Sequence, residues 1–150
     1  MSTEPTEAQI IEEFLSNVRE FLQDWMEAND MNATGKTSAG IYLEKPTDFG
    51  GKVWGPGHVE FTFKGRGPGK MPPLANIIEW CVARRIPRSR AWVIADKIKR
   101  EGTKLFQKNL GDQNAIALAT SPDKVEEFVS TLKTTIVAKT RSDIRNIIKK

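Results

Sequence analysis

The chain has 150 residues, of which 39% are hydrophobic and 28% charged, and its formal net charge is +4. That length suits one domain with a buried core, and no apolar run approaches the ~20 residues needed to cross a bilayer. A single cysteine, Cys81, and a single histidine, His58, exclude an internal disulfide, a multi-thiolate zinc site and a histidine metal pair.

The opening MSTEPTEAQ is acidic and polar, unlike a secretory signal or a basic transit peptide, so synthesis in the cytoplasm is expected. From residue 8 to 28 the apolar residues Ile10, Ile11, Phe14, Leu15, Val18, Phe21, Leu22, Trp25 and Met26 recur at helical spacing. Thr6, followed by acids, is a start signal, and Asn29-Asp30 with NATGKTS ends the helix. Residues 1–30 hold eight acids against one base, a net of −7, which leaves +11 for the remainder. Such asymmetry fits separate acidic and basic partners, copies of the chain facing each other, or simply a solvated acidic helix face.

After Ser38 the pattern turns β-like. AGIYLE (39–44) and KVW (52–54) read as short strands, and HVEFTFK (58–64) alternates with Val59, Phe61 and Phe63 on one face. DFGG and GPG mark turns between them. A small antiparallel sheet or hairpin is predicted. The stretch GRGPGKMPP (65–73) then mixes Gly65, Gly67 and Gly69 with Pro68, Pro72 and Pro73, around Arg66 and Lys70. Phosphate grip, rigid hinge and docking elbow all fit that composition.

Pro72 and Pro73 suit the first turn of a helix whose stripe is Leu74, Ile77, Ile78, Cys81 and Val82, stopped by Pro87. Ser89 can cap a second short helix through Arg100, with Trp92, Val93, Ile94 and Ile98 apolar and Gly102 past its end. Ser121-Pro122-Asp123 starts a C-terminal helix carrying Val125, Phe128, Val129, Leu132, Ile136 and Val137. Its register weakens near Thr140, and Ile144, Ile147 and Ile148 read as a separate last turn or tail.

The motifs for chemistry are weak. Gly35-Lys36-Thr37 resembles the end of a phosphate loop, but the required glycine five residues earlier is Asp30. Asn32-Ala33-Thr34 matches a glycosylation sequon, which reads better as a turn. Glu60, Glu79, Asp96 and Glu101 are scattered, and His58 is the sole histidine base, so no catalytic, cofactor-binding or metal-ligating residues are assigned and an enzyme is not expected. Charge is more informative. Residues 65–105 contain ten bases and three acids, a net of +7, including Arg66, Lys70, Arg84, Arg85, Arg88 and Arg90, with Trp80 and Trp92 interleaved. That combination suits nucleic acid or a subunit interface. Trp92 falls on the apolar face of its predicted helix, which favours core packing over base stacking.

The order of these pieces resembles the small neck proteins of tailed bacteriophages, the tail-completion, head–tail joining or minor tail family. The likeness spans about residues 8–106 and is most specific at GRGPGKMPP and at the spaced Ile94, Ile98, Gly102, Thr103 ending. Gly67 departs from the family pattern, which often carries a larger polar residue there. The resemblance implies an α+β fold, a small antiparallel sheet packed with a long N-terminal helix, two short central helices and a C-terminal helix. It divides the chain into a tail-completion-like core at 1–106 and a helical extension of the same domain at 107–150. It further implies a structural virion protein without cofactor, forming a ring of its own copies between portal and tail, with non-specific contact to packaged DNA and none to membrane. Its location would be the virion neck, and the host cytoplasm during assembly. On that view Gly65, Gly67, Pro68, Gly69, Pro72 and Pro73 shape an elbow, and Arg66, Lys70, Arg84, Arg85, Arg88 and Arg90 are offered to a partner or DNA. A basic nucleic-acid-binding module is the alternative.

Overall fold

A computed structural model describes residues 5–31, 33–108 and 114–148. The sequon asparagine Asn32, and residues 109–113 of the C-terminal extension, lie outside the described residues. The fold is α+β: a two-stranded antiparallel sheet among helices, with a long helix near each end.

Helix α1, Glu7–Ala28, starts where the sequence signals it. Thr6 accepts from the Gln9 amide, and the Gln9 side chain accepts from the Thr6 amide at 2.8 Å, a closed capping box. The helix ends with Asp30 in the left-handed region, φ 54°, while the Met31 amide reaches back to the Met26 carbonyl and Asp30 to Glu27. A four-residue turn, α2 (Lys36–Ala39), leads into strands β1 (Tyr42–Thr47) and β2 (Gly50–Trp54). Tyr42 faces Trp54 and Leu43 faces Val53, with an irregularity between Glu44 and Thr47 where Pro46 has no amide to donate. The hairpin lies across α1. A Cβ on Gly51 would come within 2.6 Å of Leu15 Cδ1, so a larger residue there would make the Leu15 side chain shift.

The alternating run 58–64 is not a strand. It forms helix α3, Val59–Lys64. Val59 and Phe63 are also four residues apart, and Glu60 pairs with Lys64 at 2.8 Å across one helical turn. A period of two and an i, i+4 pair are both present in so short a run, and burial decides between them. Phe63 is 1% exposed, whereas Phe61, its supposed partner on the strand face, is 59% exposed.

Phe63 enters the main core with Leu22, Met26, Ile41, Ala115 and Ala119, packed by Val18, Phe21, Trp25, Met31, Val53 and Val59. The Trp25 and Phe63 rings meet edge to face at 5.8 Å. Ala115 and Ala119 come from helix α7, Ala115–Ala119, which follows the five-residue helix α6, Lys104–Lys108, so the C-terminal extension contributes to the same core as α1. Helix α8 runs unbroken over Pro122–Ile148, and Ile144, Ile147 and Ile148 belong to it rather than to a separate tail. It lies antiparallel along α1: Phe128 stacks on Phe14 at 4.3 Å, and Lys139 donates to Glu7 at 3.0 Å. Of the apolar residues that the C-terminal helix carries, Val125, Val129, Ile136 and Val137 are exposed; Phe128 and Leu132 are half-buried.

The Glu7–Lys139 tie has a defined pH window. A backbone hydrogen bond, then the Lys139 side chain, holds the Glu7 carboxyl below its ordinary value, and Glu7 in turn raises the Lys139 ammonium. The Glu7 contribution is therefore present above the unfolded carboxylate pKa, about 4.3, and is lost as pH falls through the lower folded value. The Lys139 contribution is present below about 10.4 and is lost as pH rises through its raised value. Among the described residues no helix is long and apolar enough to cross a membrane.

Candidate interaction surface

Helices α4 (Leu74–Ala83) and α5 (Ala91–Glu101) pack together, joined by a 3-10 turn at Arg88–Arg90. Three of their positions are buried: Cys81, Ala91 and Ala95. All three side chains are small, which lets the helices approach closely and leaves little room for larger groups. Hence Leu74 and Val82, expected in the buried stripe, are exposed, and Ile77 and Ile78 are half-buried. Trp92 and Val93 are 59% and 61% exposed, so the core packing expected of Trp92 does not occur.

The helix starts differ from the sequence reading by small steps. Pro73, with ψ 120°, stands outside α4 as its cap, and its carbonyl accepts from Asn76 at 3.2 Å. Ser89 makes no capping bond to α5; it lies inside the 3-10 turn that Pro87 starts, and α5 begins at Ala91.

The stretch 65–73 is an elbow built against the end of α5. Gly65 adopts φ 79°, and a Cβ there would lie 2.3 Å from the Phe106 amide nitrogen. The Arg66 amide donates to Thr103 Oγ1 at 3.0 Å, and the Thr103 amide donates to the Arg66 carbonyl at 2.8 Å. The Gly69 amide reaches the Lys99 carbonyl at 2.9 Å. Gly102, φ 77°, ends α5, and a Cβ there would sit 2.8 Å from the Arg66 carbonyl oxygen. A Cβ on Gly67 would meet the Phe106 ring at 3.1 Å. Pro72 is buried; Pro68 is exposed at the bend.

The six basic candidates separate into two kinds. Arg66 is half-buried and its guanidinium turns back onto the Lys70 carbonyl at 2.8 Å, fastening the elbow. Arg84 binds both the carboxylate and the backbone carbonyl of Asp30, and its guanidinium lies 5.7 Å from the Trp80 ring centre. That cation joins the C-terminal ends of α1 and α4, where helix dipoles favour positive charge. Lys36 of α2 and Glu79 of α4 form a second exposed pair. Lys70, Arg85, Arg88 and Arg90 are exposed and form no ion pair among the described residues.

Arg85 has a backbone that sequence reasoning did not anticipate. Its φ is 57°, and it completes a helix end in which the Ile86 amide bonds the Cys81 carbonyl at 2.8 Å and the Arg85 amide bonds Val82 at 3.1 Å. Glycine is the usual occupant of that position. Arg85 is exposed, as are Arg88, Arg90, Trp92 and Val93.

No group of three or more His, Cys, Asp or Glu side chains able to hold a metal occurs among the described residues. A groove of about 420 Å³ between α1 and α8 is open and lined by Phe14, Val18, Phe21, Lys124 and Phe128 among others. His58 Nε2 is 3.0 Å from Thr37 Oγ1, and both residues lie at short helix ends. Comparison of the chain with protein-family models, curated proteins and solved structures finds no match.

Proposed function

We propose that the chain is a structural virion protein of a tailed bacteriophage, one subunit of an oligomeric ring in the neck that joins the capsid portal to the tail. One observation carries this reading. The two motifs on which the resemblance rests, GRGPGKMPP and the Ile94, Ile98, Gly102, Thr103 ending, are bonded into one corner by Arg66 and Thr103, 37 residues apart. They act as one shaped elbow presenting α4 and α5, as an assembly subunit requires. The protein catalyses nothing and takes no cofactor; its partners are its own copies, portal and tail proteins, and packaged DNA without sequence preference.

The ring contact joins the exposed acids of α1 in one copy to Arg85, Arg88 and Arg90 of the next. Such a heterologous contact closes when its rotation divides a circle. Electron microscopy of the purified protein, and of virions, is expected to show a ring at the neck. Replacing Glu12, Glu13 and Glu20 together by lysine is expected to abolish it with the fold intact, since all three are exposed. Retention of the ring by this variant would remove the electrostatic contact; absence of any ring would remove the assignment.

The alternative, a nucleic-acid module, is favoured by one finding: Trp92 is exposed, next in the chain to a turn with Arg88 and Arg90. Such a module binds DNA with affinity that falls steeply with salt. Sequence-selective binding at micromolar concentration and physiological salt would establish that reading over the ring.

A further inference from the structure

The hairpin tip and the α1–α8 groove carry complementary features that the chain itself keeps apart. The turn between β1 and β2 places Asp48 and Phe49 between the facing residues Thr47 and Gly50. Thr47 Oγ1 accepts from the Phe49 amide and donates to the Gly50 carbonyl, both at 3.3 Å, which ties the turn. Phe49 is 101% exposed, the highest value for a large apolar side chain among the described residues. An aromatic ring held in water on a tied turn gains by burial and has little backbone freedom left to lose on docking.

The groove has the chemistry to receive it. Phe14 and Phe21 of α1 and Phe128 of α8 are among its walls. Its volume of about 420 Å³ exceeds the roughly 150 Å³ of an apolar cavity that takes up benzene, so there is space for a phenyl ring. Because Phe49 is fully exposed, it does not fill the groove of its own chain. Charge agrees with a second copy as its source. The groove is lined by two acids, Glu13 and Glu127, and one base, Lys124, whereas the hairpin exposes two bases, Lys45 and Lys52, beside Asp48. The remaining hairpin charge, Glu44, accepts from the Trp54 indole. We propose that Phe49 of one copy docks into the α1–α8 groove of a second copy. The contact needs none of Arg85, Arg88 and Arg90, and it stands independently of the virion assignment.

The full chain carrying Arg85→Gly, Arg88→Ser and Arg90→Ser lacks the charged ring contact and keeps the groove and the hairpin unaltered. Sedimentation equilibrium of this chain is expected to show reversible self-association. Adding Phe49→Ser is expected to raise the dissociation constant roughly thirtyfold or more, as for the anchor of an interface. The melting temperature should be unchanged, since the site is exposed. The docking site is read by cross-linking. A benzophenone-bearing phenylalanine replaces Phe49, and light and isotopically heavy chains are mixed and irradiated. Cross-links from position 49 of one chain to the groove segments 10–21 or 124–131 of another are expected. A monomer at all concentrations, association indifferent to Phe49→Ser, or cross-links confined to other segments or to a single chain would each overturn the proposal.

Discussion

Two regions of this molecule use apolar residues in opposite ways. Around α1 and the hairpin the large side chains go inside: Met26 and Phe63 are 0% and 1% exposed. In the α4–α5 pair the small ones go inside, Cys81, Ala91 and Ala95, while Trp92 and Val93 face solvent. Burying one large apolar side chain stabilises by about 1.5–3 kcal/mol, so the first region holds itself together by removing surface from water. The second region has few such contributions. It is positioned by geometry instead: the elbow glycines, the Arg66–Thr103 bonds and the Arg84 tie to Asp30. A region held by its corners can keep its large side chains for a partner.

The sharpest break of that comparison pairs Phe63→Ala with Trp92→Ala. Phe63→Ala is expected to cost about 3–5 kcal/mol in denaturant unfolding, the range for large core truncations. Trp92→Ala should stay within about 0.5 kcal/mol of the parent, as for a surface site, while weakening assembly. Equal losses would show that Trp92 is part of the core.

A smaller effect tests whether the elbow is held by shape. Gly65→Ala is expected to cost about 2–4 kcal/mol, combining a strained left-handed backbone with a clash against the Phe106 backbone. Gly69→Ala meets open space at φ 146° and should cost less, about 1–2 kcal/mol from backbone strain alone. Thermal melts of the two variants side by side decide this, and the reverse order would place the tight approach elsewhere.

The smallest expected change is a gain. Arg85→Gly relieves a left-handed non-glycine residue and is expected to stabilise by about 0.5–1 kcal/mol. Ring formation should nevertheless weaken. A variant that is more stable and assembles as well as the parent would leave Arg85 without a role at the interface.

What the sequence made legible was local. Thr6, Pro122 and the turn at residues 47–50 act on their own neighbours, and the structure places helix starts and a turn there. The small sheet and the long helices followed from such signals. Residues 58–64 were ambiguous because seven residues satisfy both periods, and only the position of Phe63 against Trp25 separates them. Trp92 misled for another reason: an apolar stripe shows which face is apolar, without showing whether the chain itself supplies a cover. The junction of Arg66 with Thr103 was legible as two motifs but not as one corner, since no local rule links residues 37 apart.

Cys81, the sole thiol and 0% exposed, makes the α4–α5 pair its own clock. A thiol reagent can reach Cys81 only when the two helices part, so the labelling rate in native buffer measures how often that pair opens. Opening that precedes global unfolding would make the pair a separately breathing unit, and a bound partner would then register as slower chemistry at a sulfur it never touches.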